Sequence, residues 1–110
     1  MTKIELIPNF YRKFKRLQKK NKKLTQDLKK LISTLEQNPT LGTFLSNNIY
    51  KIRVANSSKS IGKRGGFRVI TYYIDKNNIL YLVEIYEKNS IENIPIKELV
   101  KIIEEEIENS

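Results

Sequence analysis

The 110-residue sequence contains no histidine and no cysteine, and both absences restrict the chemistry open to it. Without imidazole there is no Ser-His-Asp or Cys-His arrangement and no usual zinc site, because histidine is the side chain that ordinarily titrates near neutral pH. Without a thiol there is no disulfide framework, thiol nucleophile or thiolate metal site. Any catalysis must therefore use Lys, Arg, Tyr, Asp or Glu.

Long apolar segments are missing as well. No run of about 20 apolar residues exists, so we expect no membrane span. The N-terminal segment MTKIELIPNFYRKF places its apolar patch before its charges, which is the wrong order for a secretory signal. We therefore expect a cytoplasmic protein. A hydrophobic share of 39% over this length predicts a single small globular domain, residues 1–110.

Positive charge dominates, with a formal net charge of +9, and it is unevenly distributed. Residues 12–30 contain ten basic side chains and one acid, Asp27, whereas residues 84–110 contain eight glutamates and three lysines. A basic surface of this size favours polyanions, so nucleic acid or a nucleoprotein is the first partner to consider. The alternative is that most of these lysines form plain solvated surface.

The first half of the chain predicts an edge strand followed by helices. Residues 3–7 alternate and are closed by Pro8, and Asn9 is positioned to cap the helix that follows. Apolar residues then recur three, four or seven apart, on one helical face, at Phe10, Phe14, Leu17, Leu24, Leu28, Leu31 and Leu35. We predict a two-helix hairpin that reverses near Asn21 and ends at Asn38-Pro39; one long helix is the alternative.

The second half predicts three strands in succession and a closing helix. Residues 40–48 are predicted to be a connecting loop, and residues 49–55, 67–74 and 79–86 to be strands. Residues 96–107 carry the apolar spacing of a helix. The predicted fold is α+β with the order β-α-α-β-β-β-α, in which the helix hairpin packs on a small, mostly antiparallel sheet.

A cationic loop precedes the middle strand of these three. The sequence SSKSIGKRGGFR places basic side chains around the pair Gly65-Gly66. Glycine can adopt positive φ and allow close approach of backbone to a ligand, so the loop suits a phosphate. Ordinary turn chemistry before a strand is the alternative interpretation.

Several cationic and aromatic side chains are predicted to lie on or above one face of the sheet. Alternation places Arg68 and Tyr72 on the face away from the helix hairpin, where we expect them to be open. The full set is Arg53, Lys59, Lys63, Arg64, Arg68, Tyr72, Tyr86 and Lys88. Such a set can bind unstacked RNA, and it is nearly sufficient to cleave it, because cations stabilise charge at phosphorus and Lys or Tyr can transfer protons. Binding without catalysis is the alternative.

Two segments carry a family resemblance. The first is Gly62-Lys63-Arg64-Gly65-Gly66-Phe67-Arg68-Val69-Ile70-Thr71-Tyr72, and the second is Tyr86-Glu87-Lys88-Asn89 with Asn93 after it. Together they resemble the RelE/ParE superfamily of bacterial toxins, in particular its HigB-type and RelE-like branch. The order of elements is similar to that of the family as well.

This resemblance implies a toxin of a type II toxin–antitoxin pair that enters the ribosomal A site and cuts mRNA by 2′-OH attack, without metal or other cofactor. It implies a cognate antitoxin, the ribosome and mRNA as partners. By position, it also implies catalytic roles for Lys59, Lys63, Arg68 and Lys88. Combining this with the cationic and aromatic set described above, we predict Lys59, Lys63, Arg68, Tyr86 and Lys88 as catalytic residues, and Arg53, Lys59, Lys63, Arg64 and Tyr72 as RNA-binding residues.

The sequence departs from the family pattern at two positions. Arg64 replaces a serine of the glycine-rich run, and Ile94 lies where some relatives carry a catalytic tyrosine. Tyr86 or Tyr72 would then have to substitute, or a lysine would take over the proton transfer. Two other functions stay open: a DNA gyrase inhibitor of the ParE type, and an RNA-binding relative without catalysis.

Overall fold

The predicted helix hairpin is present in the computed structural model, which describes residues 1–90 and 93–109. Helix α1 spans Pro8–Gln18 and helix α2 spans Leu24–Gln37. The chain reverses at Asn21, whose side-chain amide donates to the Leu17 carbonyl oxygen at 2.9 Å, so the alternative of one long helix is wrong. As predicted, α2 ends before Asn38-Pro39, because proline cannot continue a helix.

Five strands form one mixed sheet in the order β1-β5-β4-β3-β2. Strand β1 runs parallel to β5, and each of the other neighbouring pairs is antiparallel. The strands are β1 Lys3–Leu6, β2 Thr43–Ser46, β3 Ile49–Val54, β4 Phe67–Ile74 and β5 Ile79–Glu87. The predicted α+β class is confirmed.

Strand β2 corrects one detail of the predicted order, since residues 40–48 were expected to be a loop. Thr43–Ser46 pairs with β3 through Asn47 and Asn48, which have φ values of 42° and 67°. Two consecutive positive φ values match a two-residue hairpin turn, in which asparagine is tolerated. The asparagines therefore mark the turn of a hairpin rather than the end of a loop.

The start of α1 also differs from the prediction, because Asn9 does not cap it. The helix begins at Pro8, which suits a first helical position because it has no N–H to satisfy. Asn9 is buried, and its Nδ2 donates to the Val83 carbonyl oxygen at 2.8 Å and to a Glu84 carboxylate oxygen at 3.1 Å. Lys13 forms an ion pair with the same buried carboxylate at 2.7 Å. These contacts fasten α1 to β5.

Helices lie on both faces of the sheet. On one face, Leu31 of α2 lies with Ile52 and Val54 of β3 around a common cleft. On the other face, helix α3 (Ile96–Ile103) continues into a π-helical turn, Glu104–Glu108, and Glu108 accepts a hydrogen bond from Tyr72 of β4. No helix within residues 1–90 and 93–109 has the length and apolar character needed to cross a membrane.

Candidate functional site

A row of three polar side chains crosses the sheet at one end. In the antiparallel register, Arg53 of β3 lies opposite Arg68 of β4, and Arg68 lies opposite Tyr86 of β5. Directly opposed residues share a face of the sheet, so all three belong to the same face. Two arginines and a tyrosine that are far apart in sequence are thereby brought together, as predicted.

Arg68 is buried, which corrects the expectation that it would be open on this face. Only 6% of it is exposed. Its Nη1 donates to the carbonyl oxygens of Lys63 and Phe67 at 3.0 and 3.1 Å, and its Nη2 donates to the Arg64 carbonyl oxygen at 2.8 Å. Burial, together with the neighbouring Arg53, lowers the pKa of Arg68, while Tyr86 acts in the opposite direction. Two of its five N–H donors therefore hold the basic loop against β4, and a third bonds to Phe67 within β4 itself.

The basic loop, residues 57–66, folds over this end of the sheet. Its cationic side chains at Lys59, Lys63 and Arg64 are exposed. The loop is closed at its base by two backbone hydrogen bonds between Asn56 and Ile61, at 2.8 and 3.0 Å. The folded-back position of the loop is what allows its carbonyl groups to reach the guanidinium of the buried arginine.

The end of β5 joins the same cluster. The Lys88 backbone N–H donates to the Gly66 carbonyl oxygen at 3.0 Å, and the Lys59 ammonium lies 3.8 Å from a Glu87 carboxylate oxygen. The exposed side chain of Lys88 therefore starts beside the basic loop. The structure thus brings seven of the eight predicted site residues to one end of the sheet: Arg53, Lys59, Lys63, Arg64, Arg68, Tyr86 and Lys88.

Glycine is required at position 66, but not for the positive φ that was expected of the glycine pair. Neither Gly65 nor Gly66 is among the residues with positive φ; Gly42 is the glycine that has it. A Cβ at position 66 would lie 2.1 Å from the Val54 carbonyl oxygen. The glycine therefore permits close contact between the loop and the backbone of β3, rather than a left-handed turn.

Tyr72 does not belong to the cluster. It lies four residues beyond Arg68 on β4, a separation of about 13 Å along an extended strand. Its hydroxyl donates to a Glu108 carboxylate oxygen at 3.2 Å, and its ring stacks on Tyr81 with 6.4 Å between centroids. Burial, followed by the contact with Glu108, raises its pKa. Tyr72, which was expected to contact RNA, is therefore hydrogen-bonded to the turn that follows α3 instead.

Tyr86 is 5% exposed and lies between two surface depressions of about 170 and 220 Å³. Burial raises its pKa, Arg68 opposes this shift, and Glu84 adds to it. A raised pKa keeps the phenol protonated at neutral pH. Tyr86 is therefore suited to donate a proton or a hydrogen bond rather than to act as a base.

Tyr86→Phe should reduce the loss of stability at alkaline pH. Because the pKa of the folded state lies above the ordinary value of 10.0, the stabilisation by the neutral phenol is complete below pH 10 and is lost as the pH rises through the raised pKa. Urea unfolding at about pH 9 and about pH 11 measures this loss in wild type and variant. The exposed Tyr11→Phe is the matched control, and equal losses in wild type and Tyr86→Phe would contradict the prediction.

The structure adds Lys51 of β3, which was not among the predicted site residues. Lys51 lies opposite Ile70, one row inward from Arg53 on the same face, and its Nζ donates to Asn93 Oδ1 at 3.2 Å. It lines the same 220 Å³ depression as Tyr86. The alternation of charged residues along β3 was the signal that pointed to it.

A cleft of about 330 Å³ opens between α2 and β3 beside this cluster. Arg53 and Lys63 extend the positive charge of the cluster into the cleft, and Asp27 and Lys30 of α2 lie on its other wall. Within the described part of the chain, no three acidic side chains converge closely enough to hold a metal ion. The site can therefore supply many N–H donors, positive charge and one buried phenol.

Comparison with known proteins places this chain in a family. The family model described as the RelE toxin of the RelE/RelB toxin–antitoxin system matches residues 10–106. An E. coli RelE double mutant in the free state is 17% identical, with a TM-score of 0.65, and the match covers 93% of this chain and 97% of that one.

Two further solved structures have similar folds. The isolated E. coli RelE toxin is 16% identical, with a TM-score of 0.61 and coverage of 94% of this chain and 99% of that one. A chain of the intact E. coli RelBE toxin–antitoxin complex is 14% identical, with a TM-score of 0.61 and coverage of 79% and 96%. At these identities the structures show a shared fold, and the family match spans most of the sequence. The chain therefore belongs to the RelE family, the toxins of the RelE/RelB toxin–antitoxin system.

Proposed function

We propose that this chain is a ribosome-dependent endoribonuclease that cleaves mRNA in the ribosomal A site and so blocks translation and growth. Membership of the RelE toxin family supports this function. The observation that carries it is the convergence of exposed cations around a buried arginine–tyrosine pair at one end of the sheet. RNA phosphates are the polyanion that such a cluster suits.

The proposed reaction needs no metal and no water. The 2′-oxygen forms a bond to phosphorus while the bond from phosphorus to the 5′-oxygen breaks, giving a 2′,3′-cyclic phosphate and a 5′-hydroxyl. One proton leaves the 2′-hydroxyl and one reaches the departing 5′-oxygen. The protein must therefore provide a proton acceptor, a proton donor and charge that stabilises the extra negative charge at phosphorus.

The side chains of the cluster can fill these roles. Arg53, Lys63 and Arg64 are exposed and hold the phosphates. Arg68 stabilises the transition state through the two N–H groups that remain beyond its three contacts to carbonyl oxygens. The protonated phenol of Tyr86 donates towards the leaving oxygen. The proton of the 2′-hydroxyl passes to the neutral amine form of one of the nearby lysines (Lys51, Lys59 or Lys88), because an ammonium group has no lone pair to accept it.

A cognate antitoxin is part of the proposal, because an active toxin must be neutralised until it is needed. The similar E. coli structure that contains a toxin–antitoxin complex supports such a partner. An acidic or amphipathic segment that covers the basic end of the sheet would neutralise it by charge complementarity. Ribosomes and mRNA are the other proposed partners, and the cytoplasm is the proposed location.

Expression without an antitoxin, combined with mapping of message 5′ ends, tests the proposal. Wild type should arrest growth and produce discrete cuts within translated messages. Arg53→Ala should weaken both effects by on the order of 10-fold or more, because an exposed phosphate contact is lost without disturbing the core. Lys76→Ala is the matched control: it removes an exposed cation from the turn at the opposite end of β4 and should behave as wild type.

The same experiment separates the competing functions. Growth arrest with intact messages and damaged DNA would overturn the ribonuclease proposal in favour of a gyrase inhibitor. Absence of arrest, together with salt-sensitive RNA binding by the purified protein, would overturn it in favour of a non-catalytic RNA-binding protein.

A further inference from the structure

The base of the basic loop is attached to the helix hairpin by a group of side-chain hydrogen bonds. The Asn56 amide donates to Asn21 Oδ1 at 2.9 Å, joining the loop to the point where the hairpin reverses. Asp27 of α2 accepts from the Ser57 backbone N–H at 3.1 Å and from the Ser57 hydroxyl at 2.5 Å. The Ser58 hydroxyl accepts from the Lys23 backbone N–H at 2.7 Å.

Burial and charge distinguish Asp27 and Asn21 from ordinary surface residues. Asn21 is fully buried and Asp27 is 8% exposed. Asp27 is also the single acid among the ten basic residues of segment 12–30. A carboxylate within such a segment has many cations available, yet both of its oxygens accept hydrogen bonds from Ser57. Burying a polar group is unfavourable unless it is hydrogen-bonded, so breaking these contacts would favour a different loop position.

The attachment lies just before the cations of the candidate site. Ser57 begins a single 3₁₀ turn that ends at Lys59, and the Lys59 ammonium then reaches Glu87 of β5. Arg68 holds the opposite end of the loop through the Lys63 and Arg64 carbonyl groups. The loop is thus fixed at both ends, by the hairpin at its start and by the buried arginine at its finish.

We propose that Asp27 and Asn21 are positioning residues that hold the basic loop in its active geometry, acting through Ser57 and Asn56. This inference rests on the proposed ribonuclease function, in which Lys59 and Lys63 must meet the RNA backbone in a defined position. A displacement of about 1 Å in a catalytic group can cost on the order of 100-fold in rate. The helix hairpin therefore contributes to catalysis without contacting the reacting atoms.

Substitution at Asp27, measured by steady-state cleavage on programmed ribosomes, tests whether Asp27 contributes to catalysis. Asp27→Ala should lower kcat about 10- to 100-fold and raise KM by a smaller factor, because the displaced loop carries Lys59, Lys63 and Arg64 while Arg53 of β3 still holds a phosphate. Asp27→Asn should restore most of kcat, since its amide can still accept from the Ser57 N–H and can donate to the Ser57 hydroxyl. Gln26→Ala, on the exposed surface of the same helix, is the control and should behave as wild type.

A double-mutant cycle separates positioning from a general loss of stability. If Asp27 acts through the loop, Asp27→Ala should cause a much smaller loss in a Lys59→Ala, Lys63→Ala background than in wild type. Equal losses in both backgrounds, or a folded Asp27→Ala protein with wild-type kcat, would overturn the proposal.

Limited trypsin digestion provides a measurement that does not depend on catalysis. Asp27→Ala and Asn21→Ala should each increase cleavage after Lys59, Lys63 and Arg64 by on the order of 10-fold, with cleavage after Lys76 unchanged. If wild type proves inactive on ribosomes, the proposed function fails, and the digestion still decides whether the hairpin orders the loop. Unchanged cleavage within the loop would overturn the positioning role itself.

Discussion

Gly66→Ala is expected to lower the free energy of unfolding by about 3 kcal/mol and to abolish message cleavage. The added Cβ would lie 2.1 Å from the Val54 carbonyl oxygen and 3.0 Å from the Asn56 backbone nitrogen. Both neighbours are backbone atoms, so no side chain can rotate away to make room. Either β3 or the loop must move, and the hydrogen bond from Lys88 to Gly66 is then disturbed as well.

Gly62→Ala is the matched control for this substitution. A Cβ at position 62 meets no atom within 4 Å, although the residue belongs to the same loop. Its free energy of unfolding should stay within about 0.5 kcal/mol of wild type. Thermal unfolding of the two variants measures the contrast, with Tm of Gly66→Ala lower by on the order of 10 °C. Equal Tm values would show that the loop does not require close contact with β3.

Much of the fold could be predicted because strong local patterns coincide with tertiary contacts. Strand β4 has the predicted bounds, since a β-branched and aromatic run lies between a glycine pair and a polar turn. Strand β2 was missed because Thr43–Ser46 is short and half exposed, and its pairing with β3 rather than its own sequence makes it a strand. The match to the family confirms the RelE-like resemblance, and the HigB-type branch stays a prediction.

The site was predictable as a set of residue types but not as a geometry. Alternation assigned Arg68 and Tyr72 to one face, yet it could not show that the loop folds back over the first or that the α3 region holds the second. The contacts of Asp27 join segments 30 residues apart in sequence. No local sequence pattern predicts such a contact, although the isolated acid Asp27 within a basic segment indicated an unusual position.

Substitutions at Arg68 are expected to have the second large effect on stability and cleavage. Two variants separate the contribution of its positive charge from that of its planar guanidinium. Arg68→Ala removes three hydrogen bonds to carbonyl oxygens in a buried position and should cost about 3 kcal/mol of stability. Message cleavage should fall by on the order of 100-fold or more, because the loop loses its attachment and the phosphate loses a guanidinium. Growth arrest should be relieved accordingly.

Arg68→Lys distinguishes the two contributions, since it keeps the positive charge and removes the planar fork. A single ammonium group cannot reproduce the guanidinium contacts to the Lys63, Arg64 and Phe67 carbonyl oxygens with one geometry. We therefore expect the lysine variant to resemble alanine in trypsin sensitivity of the loop and to lose cleavage by about 100-fold. Wild-type loop protection and near-normal cleavage in Arg68→Lys would instead assign Arg68 a purely electrostatic role at the phosphate. Loop protection and cleavage in Arg68→Lys, each compared with wild type and Arg68→Ala, therefore measure how much the buried arginine acts by holding the loop in place.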